Sequence, residues 1–244
     1  MLKGLQEKKN RIVELALVSG NHFVELFTTL VITKLISVYL TKEEYGFYAL
    51  ILSVFTLVSI LPFTSLHTAI ERYVIEYKSN QTFEKKFSSL ISIHFVFFVS
   101  YLLILLFVSP YISNDWHNIL FLLVVFIIIR IYKTLIICIW NVERKRKIML
   151  LVRLADMLIQ VSIIGYFIYR HSLTVDIVLI ASITGNTISL LVFIFSYSNL
   201  ITYQNDIFII FSSVFSDILK YSLPLIIWGA FICAQHLMGR WYPD

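Results

Sequence analysis

The chain has 244 residues, 59% hydrophobic and only 14% charged, with a mean hydropathy of +0.83; a water-soluble domain carries about 25% charged residues, so an integral membrane protein is expected. The formal charge of +5 comes from 20 Lys and Arg against 15 Asp and Glu. The basic residues are scattered over connections without aromatic interleaving, which excludes a nucleic-acid partner and points to loop orientation instead.

Residues 12–40 open the chain with an apolar run longer than the roughly 20 residues a bilayer needs. Basic residues precede it, as in a signal peptide. The run is too long and too polar for one, and no small-residue cleavage site follows, so it reads as an uncleaved first span. It carries Glu14, Asn21, His22 and Glu25. At about 3.6 residues per turn, Glu14, Asn21, Glu25, Thr28 and Thr29 form one polar stripe on an otherwise apolar helix. A carboxylate facing lipid is costly, so the stripe has to meet protein or water. Lys34 falls on the opposite side near the far end and is expected to snorkel to the interface.

The hydropathy pattern predicts an all-α, polytopic transmembrane bundle of about seven spans, near 12–40, 47–68, 87–109, 118–140, 148–169, 177–197 and 221–241. Tyr39, Tyr45, Tyr111, Trp116, Trp140, Tyr169 and Tyr197 lie near span ends, as an interfacial belt would. Pro62 is expected to kink the second span. Arg72 and Glu71 close that span. In the third, His94 reads as a packing histidine rather than a proton relay.

The fourth and fifth spans hold the informative charges. Arg130 and Lys133 are three apart and share a face; Arg153, Asp156 and Gln160 are spaced three and four apart and share another. Folding these spans back about residues 143–147 sets Asp156 level with Lys133, and Gln160 level with Ile129 and Arg130. Two readings stand for these cations. They form structural pairs, Lys133 with Asp156 and Arg130 with Gln160 or Glu25. Alternatively they line a cavity, with the Arg130 guanidinium suited to a phosphate fork. Glu25 and Arg130 each lie roughly 20 Å along their helices from one end at 1.5 Å per residue, so their depths match. In the sixth span, Thr184, Gly185, Asn186 and Thr187 read as helix packing with interhelical hydrogen bonds.

Loop charges orient the bundle. Lys3, Lys8, Lys9 and Arg11, then Arg72, Lys78, Lys85 and Lys86, then Arg144 to Lys147 with Arg153, and finally Lys220 fall on one side; Lys42, Arg170 and Arg240 fall on the other. The first side, with the N-terminus, is expected to be cytoplasmic. Residues 198–220 carry apolar positions at helical spacing, as a surface-lying amphipathic linker would. The expected organisation is a six-helix lobe at 1–197, this linker at 198–220 and the first helix of a second lobe at 221–244. Cys138 and Cys233 sit in apolar runs. No HExxH, paired CxxC, P-loop or GxSxG motif occurs, so no catalytic residue, metal or cofactor is expected.

Several short stretches resemble one transporter family. Tyr39-Leu40-Thr41-Lys42-Glu43-Glu44-Tyr45-Gly46-Phe47-Tyr48-Ala49-Leu50 is similar to the "yLgpeeyGlyal" turn between the first two spans of polysaccharide flippases, members of the multidrug/oligosaccharidyl-lipid/polysaccharide exporter superfamily. Ala69-Ile70-Glu71-Arg72-Tyr73-Val74 resembles the "aliRyia" that ends their second span, and Lys220-Tyr221-Ser222-Leu223-Pro224-Leu225 the "lrYslPl" that opens their seventh. Where many members read "sDRf", Gly239-Arg240 keeps the Arg and lacks the Asp.

The resemblance implies a MATE-like transporter with two lobes alternating around a central cavity, of which this sequence supplies the N-terminal lobe and one further helix, as a truncated frame or partial sequence would. It implies a bacterial cytoplasmic-membrane flippase. Its partner would be a lipid-linked oligosaccharide, an undecaprenyl-pyrophosphate repeat unit for O-antigen, capsule or a related glycan. Arg130 and Lys133 would bind the pyrophosphate. Glu25, Glu14, Asn21 and Asp156 would form an acidic wall that binds a coupling cation. The missing lobe or glycan-assembly partners would complete it. A cation-coupled multidrug antiporter of the same superfamily shares the fold; a membrane-bound polysaccharide polymerase is the enzyme alternative, disfavoured by the short outer loops.

Overall fold

The structure is a computed structural model that describes residues 2–58, 63–108, 117–198 and 207–241. Eight helices follow in order: α1 (Leu2–Tyr39), α2 (Lys42–Val58), α3 (Ser65–Ser79), α4 (Phe83–Val108), α5 (His117–Val142), α6 (Arg146–Tyr169), α7 (Val175–Tyr197) and α8 (Ile207–Trp241). No strand occurs among the described residues. Among the described residues, four segments are long and apolar enough to cross a membrane: Arg11–Tyr39, Phe121–Val142, Arg146–Tyr169 and Val175–Tyr197. They coincide with the first, fourth, fifth and sixth predicted spans. Helices suit such sequences because every backbone amide and carbonyl inside a helix bonds within its own segment, which hydrocarbon demands.

The connections are built by local chemistry. Thr41 and Glu44 form a capping box at the start of α2. The Thr41 hydroxyl accepts from the Glu44 amide at 3.2 Å, and the Glu44 carboxylate accepts from the Thr41 amide at 3.2 Å. The ends of α3, α5 and α6 share a different device. Gln81, Arg144 and His171 adopt positive φ values of 55, 53 and 51°. Each closes a Schellman motif, with bonds from Thr82 N to Tyr77 O (2.8 Å), Lys145 N to Trp140 O (3.0 Å) and Ser172 N to Phe167 O (3.0 Å). Glycine is the usual residue at such a position; none is used here.

Helix α7 sits between α5 and α6, α1 lies against the outer side of α6, and α3 joins α5 to a pair formed by α4 and α8. The α5–α6 hairpin expected from sequence therefore has a third helix laid against both arms, and its two arms touch each other little. The predicted second span is built as α2 and α3, with Phe63 and Thr64 in a π turn before α3; Pro62 and its expected kink lie outside the described residues. Helix α8 runs unbroken from Ile207 to Trp241 with Pro224 inside it. The boundary expected between 220 and 221 falls within this one helix. Val214, Ile218 and Ser222 are buried along it.

Two members of the expected aromatic belt are core residues instead. Trp140 and Tyr197 are 1% and 2% exposed. They pack with Phe193 and Phe87, the Tyr197 ring lying 4.6 Å from Phe193 and 5.2 Å from Phe87. Proximity to a helix end told only the depth of these rings, whereas the direction they face was set by α7 packing on α5. Tyr39, Tyr45 and Tyr169 are exposed, as a belt requires. Tyr111 and Trp116 lie outside the described side chains.

Candidate functional site

Among the described residues, polar groups of the helices gather in three places. The first joins α5, α6 and α7. Lys133 on α5 forms an ion pair with Asp156 on α6 and donates to Asn186 Oδ1 on α7 at 2.6 Å. Gln160, one turn beyond Asp156, donates to its other carboxylate oxygen. Asn186 in turn donates to Ser182 Oγ at 3.2 Å. Asp156, Gln160 and Asn186 are all buried. Gly185 makes this approach possible: a Cβ there would overlap Asp156 Oδ1 and stand 3.0 Å from Gln160 Cγ. Lys133 and Asp156 are level, as the folding-back argument places them, but the third partner comes from α7.

The second place is the polar stripe of α1. Its partners come from α6. Arg153 Nη1 donates to Glu25 Oε2 at 2.6 Å and to the Asn21 carbonyl at 2.9 Å. Asn21 donates to the carbonyls of Leu17 (2.8 Å) and Arg146 (3.2 Å), and its Oδ1 is buried without a partner. Glu14 lies 3.8 Å from Arg144 in the α5–α6 turn. Arg153 and Arg144 thus stand against the stripe, and Arg130 of the fourth predicted span is also within electrostatic reach of Glu25. Arg153 and Asp156, three apart on α6, serve different neighbours: Arg153 reaches α1, and Asp156 reaches α5 and α7.

Among the partners expected for Arg130, Gln160 also donates to Asp156 and Glu25 also accepts from Arg153. The Arg130 guanidinium stands over the Phe126 ring at 5.4 Å. It remains within electrostatic reach of Tyr48, Asp156 and Glu25. Arg130 thus stands over a ring beside acidic groups, and Lys133 is held by Asp156 and Asn186. Glu25 itself stays 57% exposed at its side chain, against 6% for Asp156. The exposed apolar residues Phe23, Leu26 and Leu30 fall on the opposite side of α1 from the stripe. In a bilayer a carboxylate left open in such a segment is costly, which favours water or further protein beside the stripe.

The third place pairs two histidines that only partly figured in the sequence reading. His67 on α3 and His94 on α4 are buried, with Nε2 atoms 3.1 Å apart and rings stacked at 5.3 Å. One Nε2 carries a proton and the other accepts it. His94 also packs edge-to-face with Tyr132, ring centroids 5.0 Å apart, and its Nδ1 is buried with no hydrogen-bond partner among the described residues. His94 is a hydrogen-bonded packing histidine, as expected; His67 gave no periodic signal that linked it to its partner.

A carboxylate at the end of the bundle was also missed. Glu143, 7% exposed, takes Lys78 of α3 at 2.6 Å and Lys145 at 2.8 Å, and accepts from the Tyr197 hydroxyl of α7. These bonds bring the α3 end, the α5–α6 turn and the α7 end to one basic end of the molecule. In the sequence Glu143 is a lone acid beside four cations, and its isolation was the available signal. Among the described residues no group of three or more His, Cys, Asp or Glu is placed to hold a metal ion. The arrangement suits binding and charge compensation within a helix bundle. Compared with known proteins, the chain matches no family, no curated protein and no solved structure.

Proposed function

We propose that this chain is a membrane transporter of the polysaccharide-flippase type, moving an undecaprenyl-pyrophosphate-linked oligosaccharide across the bacterial cytoplasmic membrane. In this reading about seven spans form a MATE-like N-terminal lobe and the start of a second, with the N-terminus cytoplasmic. The basic end then faces the cytoplasm. One observation carries the reading: Glu25 is open at membrane depth beside Arg153, with Arg130 within its field, which calls for a polar, water-accessible space next to α1. A transporter has such a space and a structural bundle has no need of it.

In this reading the expected site divides. Lys133 is committed to Asp156 and Asn186, so we assign it and Asp156 to architecture. Arg130 is the better anion ligand, because a guanidinium offers a planar fork to pyrophosphate. Glu25 would balance Arg130 and Arg153 between loads. The test is glycan export in cells by the protein carrying Arg130→Ala, alongside its level in the membrane. Loss of export with normal insertion is expected; normal export would sink the assignment. The openness of Glu25 also favours a second reading, a cation-coupled antiporter. There Glu25→Gln abolishes transport and Arg130→Ala leaves it intact, the reverse of the result expected for a flippase.

A further inference from the structure

At the basic end, an open groove of about 510 Å³ separates the start of the apolar part of α1 from the α5–α6 turn. Its two walls differ in chemistry. Val13 and Leu17 of α1, with Ile148 of α6, make an apolar wall that continues toward the exposed apolar side of the helix. Arg144, Lys145, Arg146 and Lys147 line the rim, against the single carboxylate of Glu14.

These cations are not all committed elsewhere. Lys145 is held by Glu143 and Tyr197. Arg144 makes only the long 3.8 Å contact with Glu14, and Lys147 is exposed with no ion pair among the described residues. Arg146 donates Nη1 to Asn141 Oδ1 at 2.7 Å, and its Nε is buried with no partner. The same residues begin α6, whose N-cap Lys145 makes no side-chain cap. Three lining residues, Arg146, Lys147 and Ile148, belong to the first turn of α6 and so bring the positive end of a helix dipole to the rim. Arg144 is held there in a left-handed conformation by the Schellman closure of α5. A phosphate group suits the rim, and an acyl chain suits the wall.

We propose that this groove is a binding site for an anionic phospholipid, with the headgroup phosphate among Arg144, Arg146, Lys147 and the α6 amides, and an acyl chain along Val13 and Leu17. The site needs only an anionic lipid in the leaflet at the basic end, and it stands independently of the transport reading. Glu14 competes for Arg144 and sets an upper limit on affinity.

The full chain, in nanodiscs of phosphatidylcholine with a minor fraction of fluorescent phosphatidylglycerol, supplies the test. Phosphatidylglycerol should bind in preference to phosphatidylcholine. The doubly substituted Arg144→Gln, Lys147→Gln protein should bind it about 25-fold more weakly, at about fivefold per cation removed. Both side chains are exposed, and Gln81 already occupies the equivalent left-handed position after α3, so the fold is retained. Glu14→Gln should bind more tightly than the wild type. Lys42→Gln with Arg170→Gln, at the other end, should leave binding unchanged. Equal binding of the two lipids would overturn the proposal, as would an undiminished affinity in the groove variant or an equal loss in the control. Inorganic phosphate titrated alone should not displace the lipid; displacement would make the groove a free-anion site and overturn the lipid assignment.

Discussion

Two sides of α6 handle charge in opposite ways. Toward α5 and α7, Asp156 has both oxygens occupied, by Lys133 and Gln160, and is sealed by the absence of a side chain at Gly185. Toward α1, Arg153 holds a Glu25 that is more than half exposed. The residues are three apart, so the difference comes from the neighbouring helix rather than from position along α6. A charge enclosed by three helices with a donor on each oxygen is architecture. A charge left open at the same depth needs water or a partner, and it is free to exchange contacts.

The contrast can be broken most forcefully at Asp156. Asp156→Ala leaves the Lys133 ammonium buried without its counter-ion, and a loss of about 3–5 kcal/mol in thermal or denaturant stability in detergent is expected. Replacing both partners, Asp156→Leu with Lys133→Met, should recover most of that loss, because no unpaired charge remains. Gly185→Ala should cost about 1–3 kcal/mol by pushing α7 away from α6, read as a lowered unfolding midpoint. Glu25→Gln should change stability by about 1 kcal/mol or less, since its pair with Arg153 is open on one side. The smallest effect is a gain: His171→Gly relieves a left-handed residue and should stabilise by about 1 kcal/mol.

Much of the bundle was readable from hydropathy because the membrane-length apolar runs are long and uninterrupted. The level of Lys133 with Asp156 was readable too, since a tight turn at residues 143–145 leaves little freedom in register. What periodicity cannot give is the neighbour of a helix face. Arg153, Asp156 and Gln160 recur at helical spacing, yet α1 and α7 divide them, because a stripe only about 100° wide still borders two helices. The same gap hid the α7 partner Asn186 of Lys133, the burial of Trp140 and Tyr197, and the His67–His94 contact across α3 and α4. The three Schellman turns escaped notice for a different reason: Gln81, Arg144 and His171 stand where glycine would have announced them. The capping box was present in plain view as Thr41-x-x-Glu44 within a stretch noted for its family resemblance.

The division between enclosed and open charge is tested most directly by paired double-mutant cycles on unfolding free energy, one for Lys133→Ala with Asp156→Ala and one for Arg153→Ala with Glu25→Ala. A coupling of about 2–3 kcal/mol is expected for Lys133 with Asp156, and less than about 1 kcal/mol for Arg153 with Glu25. Equal couplings, or additivity at Lys133 and Asp156 with strong coupling at Arg153 and Glu25, would contradict it.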